Sequence, residues 1–85
     1  MRISLHRSFE KKFTRLDENV RKKFKERKNL FLENPFNPIL NNHSVEKRFP
    51  GCRSINITGD YRAIFKTQEA TVIFINIGSH SDFYS

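Results

Sequence analysis

Seven side chains between the middle and the end of the chain could act together on a phosphodiester: His43, Lys47, Arg48, Asp60, Arg62, His80 and Tyr84. Cutting an RNA strand without a metal takes a base for the 2′-hydroxyl proton and an acid for the leaving 5′-oxygen. It also takes positive charge to steady the phosphorane-like transition state. Imidazole suits either proton role, its unperturbed pKa being about 6.5. An aspartate serves as base where its surroundings favour proton uptake. Each residue also has a plainer use. A lone histidine is commonly surface or structural, and Asp60, after Gly59, can simply bond its own turn. Residue types alone leave that choice open. The sequence carries no phosphate-cradling glycine loop, no paired-cysteine zinc pattern and no HExxH helix, so no metal or cofactor is implied. Cys52 reads as a small buried side chain at a strand start rather than a nucleophile.

The field around these residues follows from composition. Sixteen Lys+Arg against nine Asp+Glu give a formal net charge of +7, which draws polyanions. Residues 1–48 hold all of it, with 13 basic and 6 acidic side chains, while residues 49–85 hold three of each. Nucleic acid is the first partner this implies and an acidic protein the second; no membrane partner is expected. The 85 residues suffice for one domain, 1–85, with a modest core, and nine Phe let it fold without a staple. The single Cys52 forms no internal disulfide, as suits a reducing cytosol. No apolar run approaches the roughly 20 residues that cross a bilayer. The opening MRISLHRSFEKKF carries charge where a signal peptide is apolar. The expectation is a soluble, cytoplasmic, complete protein.

The elements that must position the candidates can be read from periodicity. Residues 1–6 form a short strand with Ile3 and Leu5 on one side. Phe9, Phe13, Leu16, Val20 and Phe24 recur at the helical period. Ser8 and Asp17 are possible caps, which predicts two helices, 8–16 and 17–33. The second carries RKKFKERK, whose Arg21, Lys22 and Lys25 are candidate RNA contacts; the plain alternative is a solvated helix face. Residues 34–51, rich in Asn and Pro, read as a long loop. Strands follow at 52–58, 61–67 and 71–77, with Gly59-Asp60 as a tight connection. Ile55 and Ile57 share one face of the first of these, and Ser54, Asn56 and Thr58 the other. In the last, Ile73, Ile75 and Ile77 are expected to face the helices. Val72 and Phe74 then lie on the opposite face, to be covered by the C-terminal residues or by a partner. The order β-α-α-β-β-β predicts an α+β domain with two helices on one face of a small, mainly antiparallel four-stranded sheet.

The stretch NPFNPILNNHSVEKRFPGCRSINITGDYRAIFK, followed by VIFINIGSHSDFYS, resembles the second half of RelE/ParE-superfamily toxins, in particular the YafQ-like branch. That branch shows a histidine in a Pro-containing loop, a "YRSIxVTGDxRxIY" hairpin and a closing "IGTHxxLY/F". The resemblance spans roughly residues 30–84; the N-terminal half fits in pattern only. It implies site roles for His43, Asp60, His80 and Tyr84. Tyr61 stands where the YafQ type has Trp, and Arg62 at a basic position that would hold the scissile phosphate. Asn56 replaces an active-site histidine, and an amide cannot shuttle protons near neutral pH. Arg53 reads as a structural anchor.

What the resemblance implies is a ribosome-dependent mRNA endoribonuclease, an mRNA interferase acting beside 16S rRNA. His80 would be its general acid, with Asp60 or His43 the base. Lys47 and Arg48 would join Arg62 in stabilising charge, and Tyr61 and Tyr84 would stack on a base or fix the backbone. It further implies a cognate antitoxin laid over the apolar side of residues 71–77. Operator DNA would be bound only through that antitoxin. Three rivals stand beside this reading. They are a ParE-like DNA gyrase poison, a weakened toxin that only binds its antitoxin, and a plain RNA-binding module.

Overall fold

The computed structural model describes residues 1–84. Strand β1 (Arg2–Leu5) leads into helices α1 (Arg7–Phe13) and α2 (Glu18–Glu33). Strands β2 (His43–Ser44), β3 (Arg53–Asn56), β4 (Tyr61–Gln68) and β5 (Thr71–Ser79) follow, then helix α3 (His80–Tyr84). The sheet order is β1-β5-β4-β3-β2, parallel between β1 and β5 and antiparallel elsewhere.

The α+β class and the two helices over one face are as expected, but the sheet has five strands, not four. The extra strand comes from within the expected loop. Pro38–Leu40 form a single 3-10 turn, and Asn41 then takes a left-handed conformation with φ 46°. Arg53 Nε donates to Asn42 Oδ1 at 2.8 Å, and its guanidinium lies 5.6 Å from the Phe36 ring. These contacts draw His43 and Ser44 alongside Ser54 and Arg53, where they pair. Arg53 is thus the anchor of this loop.

Helix ends differ from expectation in instructive ways. The α1 cap is His6, whose Nδ1 accepts from the Ser8 N–H at 3.1 Å. The Ser8 hydroxyl instead donates to the Ile75 carbonyl at 2.7 Å, tying α1 to β5. Asp17 does occupy the N-cap of α2, without a side-chain cap bond. Asn34, before Pro35, is extended, because a following proline disfavours the helical conformation.

Phe9, Phe24, Phe31, Phe65 and Phe74 meet between helices and sheet, with ring centroids 5.0–6.1 Å apart. Ile55, Ile57, Ala63, Val72 and Ile77 complete that layer. Val72 and Phe74 therefore face the helices, contrary to the alternation expected of β5, and only Ile77 of the three isoleucines joins them. The cause is a bulge: Ile64 pairs with Asn76 and Phe65 with Phe74, so β5 carries one extra residue there. An extra residue reverses the facing of everything beyond it. Ile75 is left to the opposite face, where it packs with Val45, Phe49, Cys52, Ile64 and Phe83. The C-terminal residues thus cover much of that second face. The apolar strip expected for a partner narrows to the half-buried Ile73.

Phe74 is fully buried at the junction of four other phenylalanines. Phe74→Ala should cost about 3–5 kcal/mol in urea unfolding, from lost transfer energy plus an uncollapsed cavity. A loss below about 1 kcal/mol would show that the Phe layer is not what holds helices to sheet.

Candidate active site

Helix α3 is short, so its placement depends on local bonds. Ser79 and Asp82 cap each other: the Ser79 N–H donates to Asp82 Oδ2 at 2.8 Å, and the Asp82 N–H donates to Ser79 Oγ at 3.2 Å. The His80 N–H donates to the Asp60 carbonyl at 2.8 Å, fixing the helix start to the β3–β4 turn. Gly78 admits this close approach. A Cβ there would lie 2.9 Å from Asp82 Oδ2 and 3.2 Å from the Phe83 ring. Phe83 is buried beneath α3 and meets Phe49 edge-on at 5.5 Å. The turn so formed brings the rings of His80 and Tyr84 within 4.8 Å, tilted by 33°, on the shared face that their spacing of four predicts.

His43, Arg62, His80 and Tyr84 line one pocket of about 230 Å³, together with Asn41 and Ser54. His43 Nδ1 lies 2.7 Å from the Asn41 carbonyl. A carbonyl only accepts, so Nδ1 carries a proton, and Nε2 is the nitrogen left to face the pocket's contents. Arg62 donates from one guanidinium nitrogen to the carbonyls of Thr58, Gly59 and Tyr61 at 3.1–3.3 Å. That holds the cation at the pocket while its other nitrogens stay free of these bonds. A second hollow of about 420 Å³ shares His43 and Tyr84 and is edged by Lys47 and Arg48. The Arg48 guanidinium lies 5.8 Å from the Tyr84 ring. The two hollows meet at His43 and Tyr84 as one groove, with the Arg62 guanidinium and the tilted His80–Tyr84 ring pair beside them.

The remaining candidates lie elsewhere. Asp60 is exposed in the turn; its main chain, not its carboxylate, takes part, through the bond to His80. Tyr61 packs against the helix-side core. Asn56, cross-strand partner of Arg62, lines a separate hollow with α2. Arg21 donates to the Thr14 and Leu16 carbonyls at 3.3 and 2.8 Å, closing the break between α1 and α2. Lys22 and Lys25 are exposed on α2, away from the pocket. Burial pushes the Cys52 thiol up, which disfavours the thiolate a nucleophile needs. The sequence reading passed over Ser54, Asn41 and the Ser79–Asp82 pair. The last was legible as Ser-x-x-Asp, a capping signature directly before a site residue.

A five-stranded mixed sheet under two helices, with a small C-terminal helix over the other face, defines a RelE-like toxin fold. Solved structures agree. Over the whole of both chains, Escherichia coli YafQ superposes with TM-score 0.74 at 20% identity. The YoeB/ParE toxin from Agrobacterium tumefaciens gives 0.76 at 16% identity, over 94% of this chain and 99% of that one. The RelB-RelE antitoxin-toxin complex from Methanococcus jannaschii gives 0.75 at 18%, over 95% and 94%. No curated protein matches the sequence. The family model for the bacterial toxin of type II toxin-antitoxin systems, YafQ, matches residues 1–85, and the chain belongs to that family. Among the described residues no helix is long and apolar enough to cross a membrane.

Bonds from Ser79 to its carboxylate hold the pKa of Asp82 below the usual value, with Lys12 adding to the effect. A depressed folded pKa contributes stability above the unfolded pKa, and that contribution is lost as pH falls through the folded value. The Tm difference between wild type and Asp82→Asn should therefore be steady above about pH 5 and shrink as the pH falls below about 4. A difference independent of pH would show that the charge plays no part in the cap.

Proposed function

We propose that this protein is the toxin of a type II toxin–antitoxin pair and that it cuts messenger RNA in the ribosomal decoding site. The observation that carries the reading is the pocket lined jointly by His43, Arg62, His80 and Tyr84. His43 Nε2 takes the proton of a 2′-hydroxyl, and the 2′-oxygen attacks the adjacent phosphorus. Arg62 holds the non-bridging oxygens as negative charge builds on them. His80, as imidazolium, protonates the departing 5′-oxygen. The products are a 2′,3′-cyclic phosphate and a free 5′-hydroxyl.

The bond from His43 to Asn41 favours His43 over Asp60 as base, since Asp60 brings only its carbonyl toward His80. Tyr84, between His80 and Arg48, supplies a face for a base to stack on. Asn56 needs no proton role in this scheme, so its replacement of a histidine is compatible with activity. A groove this small grips little RNA, and the ribosome supplies the positioning that the toxin lacks. Lys22 and Lys25, exposed on α2, suit contact with 16S rRNA.

A cognate antitoxin restrains the toxin. The support is that E. coli YafQ and M. jannaschii RelE have both been solved bound to antitoxins, DinJ and RelB. The half-exposed Ile73 on β5 offers that partner a small apolar foothold.

The test is a defined message in a purified translation system. Wild type should give ribosome-dependent cuts, and His80→Ala should slow them at least about 100-fold, as loss of a general acid does. The His80 ring is exposed, so Tm should hold. Intact message together with arrested growth and altered DNA supercoiling would replace the nuclease by a gyrase poison.

A further inference from the structure

A third hollow, of about 400 Å³, shares no lining residue with the cleavage pocket and belongs to none of the steps above. Lys23 and Arg27 of α2 edge it on one side, and Asn56, Thr58 and Gly59 on the other, with the exposed Ile39 at its rim. The volume lies within the range of about 300–1,000 Å³ usual for small-molecule sites.

Several features of the hollow point to one ligand. Lys23 and Arg27 are four apart and share a helix face, so they present two cations side by side. Arg27 is held there by donating from Nε to the Ile57 carbonyl at 3.3 Å. Among the described residues Lys23 is paired only with Glu26, an exposed contact at 3.1 Å that a stronger anion displaces readily. The Asn56 amide has an oxygen with no partner: its Oδ1 is buried yet bonded to nothing among the described residues. A buried acceptor left unpaired carries a desolvation cost, which a ligand N–H or O–H removes once the amide turns toward it. Beside Asn56, β2 pairs only with Arg53 and Ser54, so the outer edge of β3 beyond them has no strand partner among the described residues. Two cations, an unused amide and an open strand edge suit a ligand that is anionic at one end and rich in donors and acceptors at the other.

The hollow's position relative to Arg62 names that ligand. The Thr58 and Gly59 carbonyls that hold the Arg62 guanidinium belong to residues that also wall this hollow. Asn56 is the cross-strand partner of Arg62. A phosphate on Arg62 thus sits beside residues that wall this hollow, and a strand held there can continue into it. We propose that the hollow is a nucleotide subsite, taking the RNA residue one step beyond the two that share the cut bond, with its phosphate on Lys23 and Arg27 and its base on Asn56. The proposal rests on the nuclease reading for the placement of the cut bond. It makes Asn56 a residue that selects the base one step beyond the cut pair, a role that an amide, donor and acceptor at once, fills better than a proton carrier.

The test is NMR titration of the whole protein, labelled with ¹⁵N, to millimolar concentrations of uncleavable RNA. The probes are a dinucleotide with 2′-deoxyribose at the cut position and the same molecule extended by one residue at its 5′ or its 3′ end. One of the two trinucleotides should shift the amides of Asn56, Thr58 and Gly59, and the dinucleotide should not. Lys23→Gln should weaken that trinucleotide about five-fold, the usual effect of one exposed charge contact. It should also lower the salt slope of binding by about 0.7. Shifts at His43 and His80 without any at the other three would overturn the subsite and leave the cleavage pocket standing. No shifts anywhere would overturn the subsite and leave the nuclease to be decided by cutting on ribosomes. Shifts at the hollow beside a toxin that cuts nothing on ribosomes would remove the nuclease and overturn the subsite's place beside a cut, leaving an RNA-binding hollow.

Discussion

Strand β5 carries apolar side chains on both of its faces, and a different part of the chain excludes water from each. Helices α1 and α2 cover Val72, Phe74 and Ile77 with a layer of phenylalanine rings. The segment from Val45 to Cys52, with Phe83, covers Ile75 and Ile64 on the other face. A strand apolar on two faces is stable only in such a sandwich. The bulge between Phe74 and Asn76 lets both layers draw on the same short strand. The second cover is what brings chemistry to the sheet. Burying Phe83 places α3 on the open face, and α3 carries His80 and Tyr84.

The pocket is built by attaching three separate pieces of chain to that face. The His43 segment is held by Arg53 and Asn42, the β3–β4 turn by Arg62, and α3 by the Ser79–Asp82 pair and the Asp60 carbonyl. Most of these bonds involve main-chain groups, whose positions follow from the sheet register. Groups aimed in advance need no reorganisation when charge develops on a phosphate, and there such aiming has its largest effect. The division of the basic side chains follows the same logic. Arg21, Arg27 and Arg53 bond main-chain or amide oxygens within the fold, while Lys22 and Lys25 stay in solvent on α2.

The α+β class, both helices and the three later strands were legible because periodic apolar residues report burial directly. So was the pairing of His80 with Tyr84, which needs only a spacing of four. What escaped the sequence depended on contacts distant in the chain. The parity of β5 changes at a bulge that no local signal marks, so Val72 and Phe74 were assigned to the wrong face. Strand β2 is two residues long, too short for any alternation, and exists because Arg53 draws it in. Asp60 and Tyr61 follow the motif, yet the turn directs the Asp60 carbonyl to His80 and packs Tyr61 against the core. A motif identifies positions; which atom of each residue is presented depends on the backbone that carries it.

The central claim is that the groove breaks RNA through the 2′-hydroxyl of the residue it holds. The most direct measurement maps the ends of a ribosome-bound message in which one 2′-deoxynucleotide replaces the residue 5′ of the main cut. The account predicts that this cut alone disappears, while neighbouring cuts persist and carry 5′-hydroxyl ends. Undiminished cutting at the substituted position would contradict it, because the attacking oxygen would then have to come from elsewhere.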